Sequence, residues 1–332
     1  MRNINIAVVP KNGDSRIPVD VAGNVMVDVQ SMFRHIGEYL ITAELKLQNK
    51  VGSGLSDLFG LFVDQSMGIS LRSSTKISTS GIIDGALALL EKTIIKLGSG
   101  AGGYWIDDTF ADPRFRKLIA DDIIRLAQDV GTEHSLRIGK DSFDNVDVAK
   151  MKTYANYLKM TYDGAACGVP KRDLRSKRAE GMVLAIGDDR VKMSFNSKTQ
   201  ASGDIEKLMN KAAVVRGTVR MSDGRISELS DVTKVIPFEL VKFNRMISAD
   251  GDVSLTVPLE VRVEFDAKEE MWVLKNDEIG ANVSKKDWDS AVTSFHDYFV
   301  FLWNEYAAKE AKGLSEEEKE VRDFLLGLVV TK

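Results

Sequence analysis

"VVRGTVRMSDGRISEL", residues 214–229, holds two alternating apolar runs on either side of Asp223-Gly224. A tight hairpin turn favours such a pair because both of its central residues take φ > 0, so the stretch reads as a β-hairpin. Just upstream, "MVLAIGDDRVKMSF" (182–195) reads as another hairpin, with a short helical piece around "DIEKLMNKA" (204–212) between the two. From about residue 182, then, the apolar period is 2. Before it the period is 3.6, and that change decides the fold class.

Toward the C-terminus, Leu255, Val257, Leu259, Val261, Val263 and Phe265 alternate with Thr256, Pro258, Glu260, Arg262 and Glu264. One face of that strand is expected to be buried and the other wet. Pro258 has no N–H to donate, which points to an edge strand or a bulge. "SADGD" supplies a turn at Asp250-Gly251, and "DAKE" turns the chain into "EMWVLKN". A helix follows, with Trp288, Ala291, Val292, Phe295, Phe299, Leu302 and Tyr306 on one broad face and Ser284 with Asp287 as a variant capping box. Ser315 with Glu318 is a regular capping box opening a last helix that turns Val321, Phe324, Leu325 and Leu328 inward.

Toward the N-terminus, "INIAVV" and "NVMVDV" read as short strands leading into a helix from Met32 to Leu47. "MGISLRSSTKIS" reads as another strand, and Ile83, Leu87, Leu90, Ile94 and Leu97 form the stripe of a second helix. The best-marked helix has Asp112 as N-cap, Pro113 at its first position and Gly131 just past its end. "GTEHSLRIGKDSFDNVD" (131–147) is polar and turn-rich, as a boundary would be.

The expected fold is α+β: a helix-rich N-terminal unit with a small sheet (1–150), an antiparallel β-rich middle unit (151–240), and C-terminal strands plus amphipathic helices (241–332). A chain of 332 residues is long enough for two or three cores. The net charge of −4 and pI near 5.6 give no overall pull toward nucleic acid or an anionic membrane, so any such binding needs a local patch. A single cysteine, Cys167, cannot form an internal disulfide and fits a reducing compartment. The first residues are too short an apolar run for a signal peptide, and Leu97 to Ile106 is too short to span a bilayer. The expected location is the cytoplasm, with no membrane association.

Chemistry is sparse. "GSGAGG" (98–103) follows an apolar helix, whereas a phosphate loop follows a strand and opens a helix. It therefore reads as helix-ending punctuation, with Tyr104, Trp105, Asp107 and Asp108 in the connection it begins. His35 and His296 lie within amphipathic helices and His134 in a polar stretch, with no G-x-S-x-G elbow to partner them. Neither a catalytic residue, nor a cofactor, nor a metal set is assigned. Two features suggest partners. Lys171, Arg172, Arg175, Lys177 and Arg178 form a dense basic stretch suited to a polyanion such as nucleic acid, and Arg216, Arg220 and Arg225 extend it if they share its face. Tyr298, Phe301 and Trp303 widen the apolar face of the C-terminal helix beyond what one sheet covers, as in a protein interface. The leading expectation is a non-catalytic binding or assembly protein that associates with itself or another protein. The alternatives are a polyanion binder using residues 171–178 and an enzyme with a phosphate or metal site near residues 98–108.

Overall fold

The computed structural model describes residues 4–12, 16–49, 51–64, 70–73, 80–173, 181–195, 199–310 and 313–329. The chain is an α+β protein with three sheets, one of them closed into a barrel. It divides into two compact units, Met1–Ile41 with Val51–Lys159, and Thr42–Lys50 with Met160–Lys332. Among the described residues no helix is long and apolar enough to cross a membrane.

The first unit runs β1 (Ile4–Pro10), α1 (Val19–Leu45, of which residues 42–45 count with the second unit), α2 (Ser53–Ser56), β2 (Leu61–Asp64), β3 (Ser70–Ser73), α3 (Ser80–Gly98), α4 (Gly102–Thr109), α5 (Pro113–Val130), β4 (His134–Ile138), β5 (Asp141–Phe143) and α6 (Val148–Tyr157). Its sheet has the order β2-β3-β1-β4-β5 with antiparallel neighbours. On β1, Ile4, Ile6 and Val8 are buried while Asn5 and Ala7 are exposed, so one face is wet. The core gathers Met32, Phe33 and Ile36 of α1, Leu87, Leu90 and Ile94 of α3, and Ile119, Ile123 and Leu126 of α5.

Three expectations are corrected here. "NVMVDV" is helical, part of α1: Val25 and Val29 continue the stripe of Met32, Phe33 and Ile36, all buried, so tertiary packing overrides their β propensity. The stretch 131–147 contains the β4–β5 hairpin rather than a boundary. A helix, α4, begins inside the glycine run and carries Tyr104, Trp105, Asp107 and Asp108. Of "MGISLRSSTKIS", residues 70–73 form β3 and the others lie outside the described residues.

In the second unit, β6 (Thr161–Arg172), β7 (Met182–Ile186), β8 (Asp189–Phe195), α7 (Ala201–Lys207), β9 (Ala213–Ser222) and β10 (Arg225–Pro237) build the barrel. The strands close in the order β10-β8-β7-β6-β9. The long strand β6 makes this possible: its residues 161–168 pair with β9 and residues 169–172 with β7. Closure comes from a parallel β8–β10 pair, the other neighbours being antiparallel. Ala166, Leu184, Val191, Val215, Val219 and Leu229 fill the interior. The Asp223-Gly224 turn has φ of 51° and 76°, as the hairpin required.

The chain continues through β11 (Leu240–Ser248), β12 (Gly251–Asp266), β13 (Met271–Asn276), β14 (Ala281–Lys285), α8 (Trp288–Leu302) and α9 (Glu316–Leu328), the four strands forming an antiparallel meander in that order. Phe243, Phe295 and Phe299 are fully buried in its core. Pro258 lies where the β11–β12 register breaks, between Ser254 and Leu259. This bulge also leaves Val257 54% exposed, against the expected burial. The β11–β12 turn falls one residue earlier than expected, since Ser248 pairs with Gly251. The N-cap of α8 is Asp287, whose side chain accepts from Ser290 N, while Ser284 belongs to β14. At Ser315 and Glu318 both bonds of the capping box are made.

Residues 42–50 belong to the second unit and are tied into it. Trp288 Nε1 donates to Lys46 O at 3.0 Å, and Asp289 accepts from Gln48 N and Asn49 N, each at 2.8 Å. The Gln48 amide takes Cys167 N at 2.8 Å and donates to Cys167 O at 2.8 Å. Pairing of β7 with β6 runs only from Val169 onward, so at Cys167, which faces β9 on one edge, Gln48 satisfies the β6 backbone on the other edge, where no strand lies among the described residues.

Candidate polyanion-binding face of the barrel

β6, β7 and β8 lie side by side, and their registers align two outward rows. One is Lys171, Val183 and Lys192; the other is Val169, Ala185 and Arg190. Of these, Val169 and Val183 are buried and only Lys192 and Arg190 are well exposed. Leu184, Ile186, Val191 and Met193, the alternate residues of β7 and β8, point into the barrel core, so Arg190 and Lys192 stand outward and are exposed. Lys171 and Arg172 end β6, and the connection from β6 to β7 contains Arg175, Lys177 and Arg178, which lie outside the described residues. Between residues 160 and 238 the chain carries 14 Lys and Arg against 10 Asp and Glu, in a protein whose net charge is −4. The positive charge is therefore local to the barrel.

Acids meet part of this face. Lys171 forms an ion pair with Glu270 of the β12–β13 turn, and Lys192 sits beside Glu228 of β10, which itself lies 3.7 Å from Arg220. Arg216 and Arg220 point outward from β9, which is flanked by β6 and β10, so they do not join the row on β7 and β8. Arg225 pairs with Asp189 at 3.3 Å. Sequence reading missed Arg190 and Lys192. Their signal was the alternation in "DDRVKMSF", which puts both on one strand face next to the basic stretch.

Phe301 is 55% exposed, and Tyr298 and Trp303 are half-buried, at the point where α8 passes into a π-helical turn, Trp303–Ala307. The glycine run is accounted for by packing. A Cβ on Gly103 would sit 2.3 Å from the ring of Tyr154, and Gly102 holds φ of 67° at the start of α4. Asp107 is engaged by Tyr154 Oη at 2.8 Å and Arg116 at 3.3 Å. Among the described residues no group of three or more His, Cys, Asp or Glu is arranged to hold a metal ion.

The buried titratable groups serve structure. In the first unit Asp122 is fully buried and accepts from Ser31 Oγ at 3.0 Å, with His35 Nδ1 at 2.6 Å and Arg125 beside it. Burial, reinforced by neighbouring Asp129, raises Asp28 to about 6 even though Arg125 Nε is 3.3 Å away. In the second unit His296 is fully buried, and burial lowers it to about 3. Its Nδ1 accepts from Ile247 N at 3.0 Å, which leaves Nε2 carrying the proton with no partner among the described residues. Burial pushes the Cys167 thiol well up, the reverse of what a thiolate nucleophile needs.

Five strands closed through one parallel pair, with a helix between the third and fourth, have the Greek-key connectivity of the oligonucleotide- and oligosaccharide-binding (OB) barrels. In that class ligands contact the face of the second and third strands, the loop joining the first two strands and the loop joining the last two. Comparison with known proteins adds nothing to this: no family model matches the chain, and no curated protein or solved structure matches it.

Proposed function

We propose that this is a non-catalytic binding protein whose barrel holds a polyanion, with single-stranded nucleic acid as the ligand. One observation supports the reading: the strand registers bring Lys171, the first residue of the basic stretch, into line with the exposed Lys192 and one row from Arg190, on the second and third strands that such barrels use. Fold alone would not suffice, since one fold hosts many functions. The coincidence of face and charge is the support. Lys and Arg at this density favour phosphates through counterion release, with little dependence on base sequence.

The test is fluorescence anisotropy of a labelled ~20-nucleotide oligo(dT) at about 50 and 200 mM salt, a range over which phosphate contacts weaken steeply. Arg190→Ala and Lys192→Ala should each weaken binding and lower the salt slope by about 1. No binding at the lower salt, or binding untouched by both changes, would refute the reading.

A second reading, association through the end of α8, is favoured by Phe301, a large apolar residue left 55% exposed next to a π-helical turn. It predicts an oligomer or a heteromer weakened by Phe301→Ala or Trp303→Ala. A strict monomer by light scattering, together with no partner in a pull-down, would remove it.

A further inference from the structure

The turn between β12 and β13 carries two acids, Glu269 and Glu270, and its geometry commits one of them to the barrel. Asp266 Oδ1 accepts from Lys268 N at 2.9 Å and Glu269 N at 3.2 Å, which fixes the turn. Glu270 closes it with φ of 53°, a left-handed conformation uncommon in a side chain of this kind. Its carboxylate meets Lys171 Nζ in an ion pair, and Lys171 first and Arg190 second hold Glu270 below its ordinary value. A cleft of about 250 Å3 lies beside the pair, lined by Val169, Lys171 and Ala185 of the barrel and Phe265, Glu270 and Trp272 of the hairpin. Glu270 thus meets the first row at its Lys171 end and lies within electrostatic reach of Arg190.

We propose that Glu270 is a built-in competitor, its carboxylate occupying on Lys171 the position that a phosphate of a bound strand would take. The proposal rests on the polyanion reading above and adds its regulation. A carboxylate and a phosphate oxygen are alternative acceptors for the same ammonium, so entry of the strand displaces the hairpin acid. The pair is built to yield: the Glu270 side chain is 67% exposed and Lys171 25%, and an exposed pair of this kind is weak. The competition is therefore a modest gate, screened further as salt rises.

The experiment measures oligo(dT) anisotropy at low salt for the full chain, Glu270→Gln, Lys171→Ala, the double variant, and Glu264→Gln. Glu264 lies on the same hairpin but pairs with Lys275 at 2.6 Å, so its removal reports the general effect of losing one negative charge. Glu270→Gln should tighten binding about two- to fivefold over the unaltered chain, the range set by an exposed ion pair. Glu264→Gln should tighten it less, and the gain from Glu270→Gln should vanish on a Lys171→Ala background. If the unaltered chain binds and Glu270→Gln binds equally, or no better than Glu264→Gln, the competitor is overturned while the polyanion reading stands. If the unaltered chain does not bind, the polyanion reading fails and the competitor with it. Urea midpoints of the variants, expected to match within error, separate binding changes from unfolding.

Discussion

Gln48→Ala tests whether one side chain stands in for a missing strand. The amide accepts from Cys167 N at 2.8 Å and donates to Cys167 O at 2.8 Å and to Sγ at 2.9 Å. The two backbone bonds contribute about 1 kcal/mol each and the sulfur contact little, so the expected loss is about 2–3 kcal/mol once the partly stranded β6 backbone is included. Gln48→Glu is the sharper variant. It keeps an acceptor for Cys167 N but turns the donor into an oxygen facing Cys167 O, and it adds charge near Asp289, whose carboxyl burial already pushes up. It should therefore be at least as destabilised as the alanine. Of the four tryptophans, Trp272, Trp288 and Trp303 belong to the second unit, so urea denaturation followed by tryptophan emission reports mainly on the unit being tested. A loss below about 0.5 kcal/mol in the alanine variant would be within the range of an ordinary surface change. That result, or a Glu variant as stable as the unaltered chain, would refute the strand-mimic argument.

Asp28 and His296 give the two units opposite pH slopes. Asp28 rises from 3.8 to about 6 on folding, so its contribution is full at low pH and is lost as pH climbs from about 4 through 6; Asp28→Asn should flatten that loss in the first unit, and an unchanged slope by circular dichroism would sink the assignment. His296 falls from 6.5 to about 3, so the second unit keeps its full contribution above pH 6.5 and weakens as pH drops toward 3. His296→Phe should reduce that acid sensitivity in tryptophan-monitored urea melts while lowering stability at neutral pH, since Ile247 N loses its acceptor; equal slopes would contradict the burial argument. Gly103→Ala places a methyl against the Tyr154 ring and should cost about 1–3 kcal/mol in the first unit through overpacking, whereas a neutral effect would show that α4 and α6 can separate freely.

Features whose chemistry is local were legible in the residues alone. Asp112 caps α5, Ser315 and Glu318 box α9, and Asp223-Gly224 turns β9 into β10, because each needs only residues a few positions apart. The strand face of Leu259, Val261 and Val263 was legible for the same reason. Local signals misled where a distant partner outweighed them. "NVMVDV" alternates like a strand, yet Val25 and Val29 complete an apolar helical stripe. The glycine run reads as a loop, yet Gly103 is flat so that the Tyr154 ring can cover it, and that ring comes from a residue about fifty positions away. The basic stretch was visible as composition, but the alignment of its first residue, Lys171, with Lys192 was not. That depends on β6 pairing with β9 along one part and β7 along the other, and on a parallel closure by β10. Gln48 on Cys167 and Glu270 on Lys171 belong to the same group, at separations of 119 and 99 residues. Contacts of that range leave no period in the chain, because they are selected by how whole elements bury their apolar faces together; the elements were therefore largely written locally, and the candidate site was assembled only by the barrel's closure.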